Sequence, residues 1–254
     1  MSKKSRYSIC GRRIISFAIC AILFISQTGC ASGPFSDDSG NGGTMGQSAA
    51  DQTLDIASLQ VQNPDIFGWI YIPDTNINYP ILQNLQGDDE YYITHDCTGA
   101  ESSDGAIYMQ SANLSNMCDF IEILHGNTIN SGIMFSGLSK FLDKEYFDEH
   151  PVMYIYINGN ALAYEIYAAY ECDYVDILRS YDLTDSIGCQ EFINDMESDI
   201  ATNGNVRVGW EEGVTPYNFL VCLTTNDLQN PDKQINVIGC MIGDAAGTID
   251  REIE

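Results

Sequence analysis

Positive charge is scarce in this chain. Eleven Lys and Arg stand against 36 Asp and Glu, a formal net charge of −25. Five of the eleven bases lie within the first thirteen residues (Lys3, Lys4, Arg6, Arg12, Arg13), and no acid occurs before Asp37. The rest of the chain therefore carries six bases and 36 acids, a net of −30. Such a surface repels phosphate backbones, which excludes nucleic acid as a partner. It also repels anionic lipid heads, so attachment to a membrane requires a covalent lipid or a spanning segment. Solubility is the plain consequence of the charge, and a cation-rich partner such as a basic wall polymer is the specific one.

Other features are missing too. There is no internal repeat, no CxxC pair and no His/Cys spacing of the kind that holds a metal. The acidic pairs Asp88-Asp89 and Glu211-Glu212 do not recur at the spacing that 6–8 oxygen ligands of calcium require. No metal and no cofactor is expected. The longest apolar run near the N-terminus, Ile14–Ile25, falls short of the roughly 20 residues that span a bilayer.

That run follows a basic stretch and has signal-peptide length. The tripeptide Thr28-Gly29-Cys30 comes directly after it and resembles a bacterial lipobox, with Gln27 where an aliphatic residue is usual. On this reading residues 1–30 are a signal peptide and Cys30 is lipidated; an uncleaved membrane anchor and simple secretion are the alternatives. Each places the protein outside the cytoplasm, and the first two tether it to the outer face of the membrane. Residues 31–50 are rich in Gly, Ser and Asp and form a flexible linker. A domain over 51–246 and a tail over 247–254 complete the chain. Six cysteines fall in the domain (Cys97, Cys118, Cys172, Cys189, Cys222, Cys240), an even number that permits disulfides with 15 possible pairings.

The domain reads as mostly β. Residues 51–62 suit a short amphipathic helix stopped by Asn63-Pro64-Asp65. Runs rich in Ile, Val and Tyr predict strands over 68–73, 78–83, 90–95, 105–110, 120–125, 152–159, 162–174, 217–225 and 235–243. A turn at Asn158-Gly159-Asn160 predicts a hairpin. Helices are expected over 136–151 and, longer, over about 184–203. About eight evenly spaced strands with few helices predict a closed or nearly closed barrel.

Three stretches are more specific. They are "NPDIFGWIYIPDTNINYPILQ" (63–83), "DDEYYITHDCTGAESSDGAIYM" (88–109) and "SGIMFSGLSKFLDKEYFDEHPVMYIY" (131–156). Together they resemble the class B sortases, Gram-positive surface transpeptidases, over roughly residues 50–243. The resemblance implies an eight-stranded β-barrel with an N-terminal helix and a longer helix before the seventh strand. It also implies a chemistry of three side chains: a cysteine thiolate that attacks a sorting-signal carbonyl, a histidine that moves protons and an arginine that stabilises the oxyanion.

This sequence departs from the family at all three places. The family's T-L-S-T-C corresponds to "CLTTN", which puts Asn226 at the nucleophile position. The arginine position falls on Gln234, with Asn236 as the lesser alternative, and the histidine of Y-G-H-N falls on Gly126, with His125 one residue early. A one-residue shift along a strand turns a side chain to the other face, so His125 is expected to point away from the site. Cys222 and His125 are the available substitutes; Cys222 lies four residues before Asn226, about 13 Å along a strand.

The expected protein is therefore a cell-surface, sortase-like barrel without its family's catalytic groups. Its expected partner is an extended sorting-signal-like peptide or a surface protein, such as an active sortase or a sortase substrate. Thr224, Thr225, Asn226 and Gln234 are the candidate groove residues. The alternatives are an active transpeptidase with non-standard residues and a structural, pilus-associated component.

Overall fold

The computed structural model describes residues 55–129, 132–210, 212–227, 230 and 232–251. The signal peptide, the lipid site at Cys30 and the linker over 31–50 lie outside the described residues. Among the described residues no helix is long and apolar enough to cross a membrane.

The chain enters through a short helix, α1 (Ile56–Gln62), whose first turn is capped by the Asp55 carboxylate accepting from Ser58 N at 3.1 Å. Strands β1 (Ile66–Tyr71), β2 (Asn78–Leu82), β3 (Ile107–Met109) and β4 (Ile121–His125) follow. Helix α2 (Lys144–Glu149) leads into the hairpin of β5 (Val152–Ile157) and β6 (Asn160–Asp173). Next come α3 (Ile177–Ser180), the long α4 (Ser186–Asn203), β7 (Gly204–Val206), β8 (Leu220–Asn226) and β9 (Lys233–Asp244).

The strands lie in the order β5-β1-β2-β3-β4-β8-β9-β6, and pairing of β5 with β6 closes the ring. This is a closed eight-stranded barrel, and α4 precedes its seventh strand, β8. Strand β7 hangs outside the ring on β6. The pairs β2–β3 and β4–β8 are parallel and the others are antiparallel.

Period-two alternation gives the barrel two apolar faces. Inward residues such as Ile70, Ile81, Leu124, Ile155, Leu223 and Val237 fill the interior with Phe135 and Phe141. Outward residues of β4, β8 and β9 (Ile121, Ile123, Leu220, Cys222, Ile238, Cys240) are buried by Phe192, Ile193, Met196 and Ile200 of α4. Strands covered on both faces read as continuous apolar runs, which is why "FIEIL" and "FLVCL" stand out in the sequence.

Several elements differ from expectation. Residues 90–95 are no strand: Tyr91–Ile93 form a 3₁₀ turn, and the Tyr92 hydroxyl donates inward to Asp65 Oδ2 at 2.7 Å. That buried hydroxyl, which Asn63 Nδ2 also reaches at 3.0 Å, ties the turn to the start of β1. The single helix expected over 136–151 divides at Asp143. Its extended backbone ends a 3₁₀ segment, Phe135–Leu142, and its side chain caps α2 by accepting from Tyr146 N at 3.0 Å. The hairpin loop is Asn158-Gly159, with Gly159 at φ 75°. All six described cysteines are free thiols.

Arg207, just after β7, fastens α2 to the barrel. Its Nε donates to Ile166 O at 2.6 Å, its guanidinium donates to Phe147 O at 2.8 Å, and its plane lies 4.4 Å from the Phe147 ring centre. Arg207→Met keeps the apolar stem and orphans these buried carbonyls, so it is expected to cost about 3 kcal/mol. Chemical denaturation of the two proteins measures the difference.

Candidate functional site

Four neighbouring strands, β4, β8, β9 and β6, bring the sequence-picked residues to one end of the barrel. In the ladder His125 pairs with Thr224, Thr224 with Asn236, and Asn236 with Tyr170, while Tyr108 of β3 pairs with His125. Paired residues share a face, so these five side chains form one row across five strands. That face is the outer one, because Ile123 and Cys222, two residues back on β4 and β8, point at α4. Two residues further along β8 comes Asn226, opposite Gln234, which in turn pairs with Cys172 of β6. Directly opposite residues in a sheet are about 5 Å apart and diagonal ones about 7–8 Å. His125, Asn226 and Gln234 therefore share one patch of surface.

This reverses one expectation. His125, not Gly126, points to the side on which Asn226 lies. Gly126 faces the barrel interior, where an added Cβ would come within 2.5 Å of Ile107 Cδ1 and 2.7 Å of the Phe135 ring. The interior is packed there, and the backbone admits no side chain. Thr225 likewise faces inward, against its selection as a groove residue. Its hydroxyl donates to Gly126 O at 2.6 Å and meets the Thr128 hydroxyl, so it locks β8 to the chain leaving β4. Thr224, Asn226 and Gln234 stay on the outer face; Asn226 is exposed, while Thr224 and Gln234 are buried.

Burial sets the electrostatics. The His125 ring stacks on Tyr108 with centroids 5.2 Å apart and keeps one partly exposed edge, but its Nε2 is buried without a hydrogen-bond partner. Burial pushes its pKa down to about 4, against the opposing pull of the Asp176 and Asp89 carboxylates, so the imidazole is neutral at pH 7. Gln234 accepts from Val175 N through Oε1 at 3.4 Å, and its Nε2 is buried without a partner. Cys222 is fully buried, and its thiol donates to Asn236 Oδ1 at 3.7 Å. Burial pushes that thiol far above the ordinary range, and it pushes Cys172, also against Asn236, to about 11. Neither forms a thiolate at neutral pH.

Among the described residues, the bases on the elements flanking the patch are paired. Lys233 pairs with Asp173 at 2.6 Å, and Arg179 with Asp176 at 3.5 Å. Arg251 sits at the other end of β4 and β8, donating to Asp119 O, Pro216 O and Asn218 O. Among the described residues no cluster suits a metal ion. What remains is an exposed carboxamide, a hydroxyl, a buried amide and a neutral imidazole, a set that offers hydrogen bonds rather than a nucleophile. Tyr108 and Asp176 were not singled out from the sequence, and Asp89 was picked only as half of an acidic pair, not for this surface. Asn236, the lesser candidate for the arginine position, lies on the same outer face two residues further along β9.

No protein-family model matches the chain. It is 26% identical over 175 residues to sortase B of Listeria monocytogenes, covering 69% of this chain and 70% of that one. It is 25% identical over 151 residues to sortase B of Staphylococcus aureus, covering 59% of this chain and 61% of that protein. Among solved structures it superposes on a Staphylococcus aureus sortase B–substrate complex with a TM-score of 0.63 at 24% identity, covering 74% of this chain and 84% of that one. In sequence and in fold the chain is sortase-like, of the class B kind.

Proposed function

We propose that this protein is a non-catalytic sortase-like barrel, held at the outer face of the cell membrane by its N-terminal segment, that binds an extended peptide or a surface protein without cleaving it. The observation that carries this reading is Asn226, exposed at the end of β8 where the resemblance places the nucleophilic cysteine. A carboxamide does not attack a peptide carbonyl. Opposite it stands Gln234, a neutral amide where the resemblance places an arginine, so an oxyanion would find no charge. The candidate substitute Cys222 is sealed under α4 and stays protonated. The outer face of the barrel end keeps Thr224 and Asn226 for hydrogen bonding, and the solved structure of a sortase B with its substrate supports a peptide as the bound class. The N-terminal basic and apolar stretch ending in Cys30 supports the tether.

The direct test uses the full chain in non-ionic detergent. It is incubated with class B-type sorting peptides and an amine acceptor, and peptide and protein are read by intact mass. Uncut peptide and unmodified protein, beside an active sortase control, are expected. An acyl adduct on any side chain refutes the reading and names the nucleophile. Native-state maleimide labelling is expected to leave Cys222 unmodified, in keeping with its burial.

His125 supplies a second check. A histidine that acts as general acid at pH 7 has to be an imidazolium, and this ring is neutral. The folded pKa lies below that of an unfolded histidine, 6.5. Hence the unfolded chain binds more protons between about pH 6.5 and 4, and folding stability falls across that window as pH falls. A gap of that size corresponds to about 3 kcal/mol when complete. NMR titration is expected to show His125 uncharged above about pH 5. His125→Gln is expected to flatten the stability curve between pH 6.5 and 4, measured by denaturant unfolding at each pH.

A further inference from the structure

The end of the barrel away from Asn226 holds a buried acid, Glu122, which takes no part in the site. Glu122 is the second residue of β4 and lies opposite Val221 of β8. Ile121 and Ile123 turn outward, so the Glu122 side chain turns to the interior face that Val221 and Tyr164 also occupy. It is 1% exposed. Its Oε1 accepts from Asp119 N at 3.1 Å, and its Oε2 is buried with no hydrogen-bond partner among the described residues. A neutral carboxyl fits that setting. A carboxylate, which needs donors on both oxygens, does not.

The same end is closed by the segment that leaves β9. Residues 245–251 cross it as a strap, of which only Ile249 and Arg251 are partly covered. Asp244 makes the turn into it: its carboxylate accepts from Ala246 N, Gly247 N and Ile249 N at 2.8–3.2 Å, and Gly247 takes φ 63°. Ile249 packs on the interior cluster. Arg251 is the clasp. It donates to Asp119 O at 2.8 Å, to Pro216 O at 2.5 Å and to Asn218 O at 2.7 Å, and its guanidinium lies 4.4 Å from the Phe219 ring centre. Asp119 thus joins the acid to the strap, since its N–H binds Glu122 and its carbonyl binds Arg251. A shift of Glu122 toward water has to move Asp119, and with it the seat of the clasp.

We propose that residues 245–251 form a latch on this end of the barrel, shut while Glu122 is neutral and released when Glu122 is charged, because the carboxylate needs donors that the closed interior does not give. Burial, then repulsion from Asp119, holds Glu122 well above the ordinary glutamate value. The attraction of Arg251 opposes this only from a distance, its donors being committed to three carbonyls. The other titratable groups at this end keep one charge state near neutral pH. Cys118 and Tyr164 are pushed up by burial and stay neutral, and Asp244 stays charged, burial being outweighed by the groups that donate to it. The closed latch is therefore fully stable below pH 4.5, the ordinary glutamate value, and its hold is lost progressively as pH rises from there through the raised one. It lies at the far end from Asn226, so it stands whether or not that face binds a peptide.

The test is hydrogen–deuterium exchange by mass spectrometry on the full chain in non-ionic detergent, from about pH 5 to 8, with rates corrected for the intrinsic pH dependence of amide exchange. Strand β8 is the internal control. In the wild-type chain the amides of Ala246, Gly247 and Ile249 are expected to lose protection as pH rises, by up to about ten-fold per pH unit, while β8 keeps its protection. Glu122→Gln cannot take a charge and is expected to hold the strap equally at every pH. Arg251→Gln removes the clasp and is expected to free the strap at every pH with β8 intact. Strap protection that does not change with pH in the wild-type chain overturns the proposal. The same fall in Glu122→Gln overturns it too, as another group would then be titrating. Loss of strap and β8 together also overturns it, because the event is then global unfolding. The wild-type series alone decides the point if a variant does not fold.

Discussion

The site depends on the parallel pairing of β4 with β8. Five consecutive residue pairs, from Ile121 with Leu220 to His125 with Thr224, fix which side chains look inward and which look out. Leu124 and Leu223 enter the interior and Ile123 and Cys222 enter the layer under α4, so a slip by one residue would bury polar groups on both faces. Just past the strand ends the Thr225 hydroxyl closes on Gly126 O and backbone Gly126 N donates to Thr224 O at 3.3 Å. Everything said of Asn226, His125 and Gln234 follows from this register, because it decides that the three share a surface.

The same register explains the Gly126 position. A strand that must pass Phe135 and Ile107 at van der Waals distance has no space for a Cβ, and glycine meets that constraint. The histidine one residue earlier then falls on the outer face, where its ring finds Tyr108 to stack on. The exchange of Gly-His for His-Gly therefore does not hide the imidazole from the groove. It moves the imidazole one step down the strand, into a setting dry enough to keep it neutral.

Much of the fold was legible in the sequence. The strand runs at the barrel's core, the Asn-Gly hairpin and the long helix before β8 were readable because alternation, turn chemistry and helix caps are local. The tract 90–95 misled because "EYYITH" has strand composition, while its conformation is set by a tertiary bond from Tyr92 to Asp65, 27 residues away. The helix over 136–151 misled for a local reason: Asp143 serves better as a cap than as a mid-helix residue. At the site, Asn226 and Gln234 were picked by motif position, and the strand pairing sets them opposite each other. The direction of His125 was not, because a sequence offset gives no side-chain direction until the pairing register is known. The joint electrostatic influence of Asp89 and Asp176 on His125 was not legible either, since the two lie 87 positions apart in the sequence.

On the proposed reading, the neutral residues Asn226 and Gln234 belong together electrostatically. A thiolate is stabilised by a nearby cation and destabilised by carboxylates and by burial. At position 226 the following residue is Asp227, the residue opposite is neutral Gln234, and the Asp89 and Asp176 carboxylates act electrostatically on His125. A cysteine placed there would have its pKa pushed up rather than down, and the neutral His125 would be a poor partner for an ion pair with it. On the proposed reading, the departures at 126, 226 and 234 thus answer one local field rather than standing as three separate changes. On the proposed reading, a surface that holds neither a thiolate nor an oxyanion has no use for a positive charge, and the neutral Gln234 opposite Asn226 fits that surface.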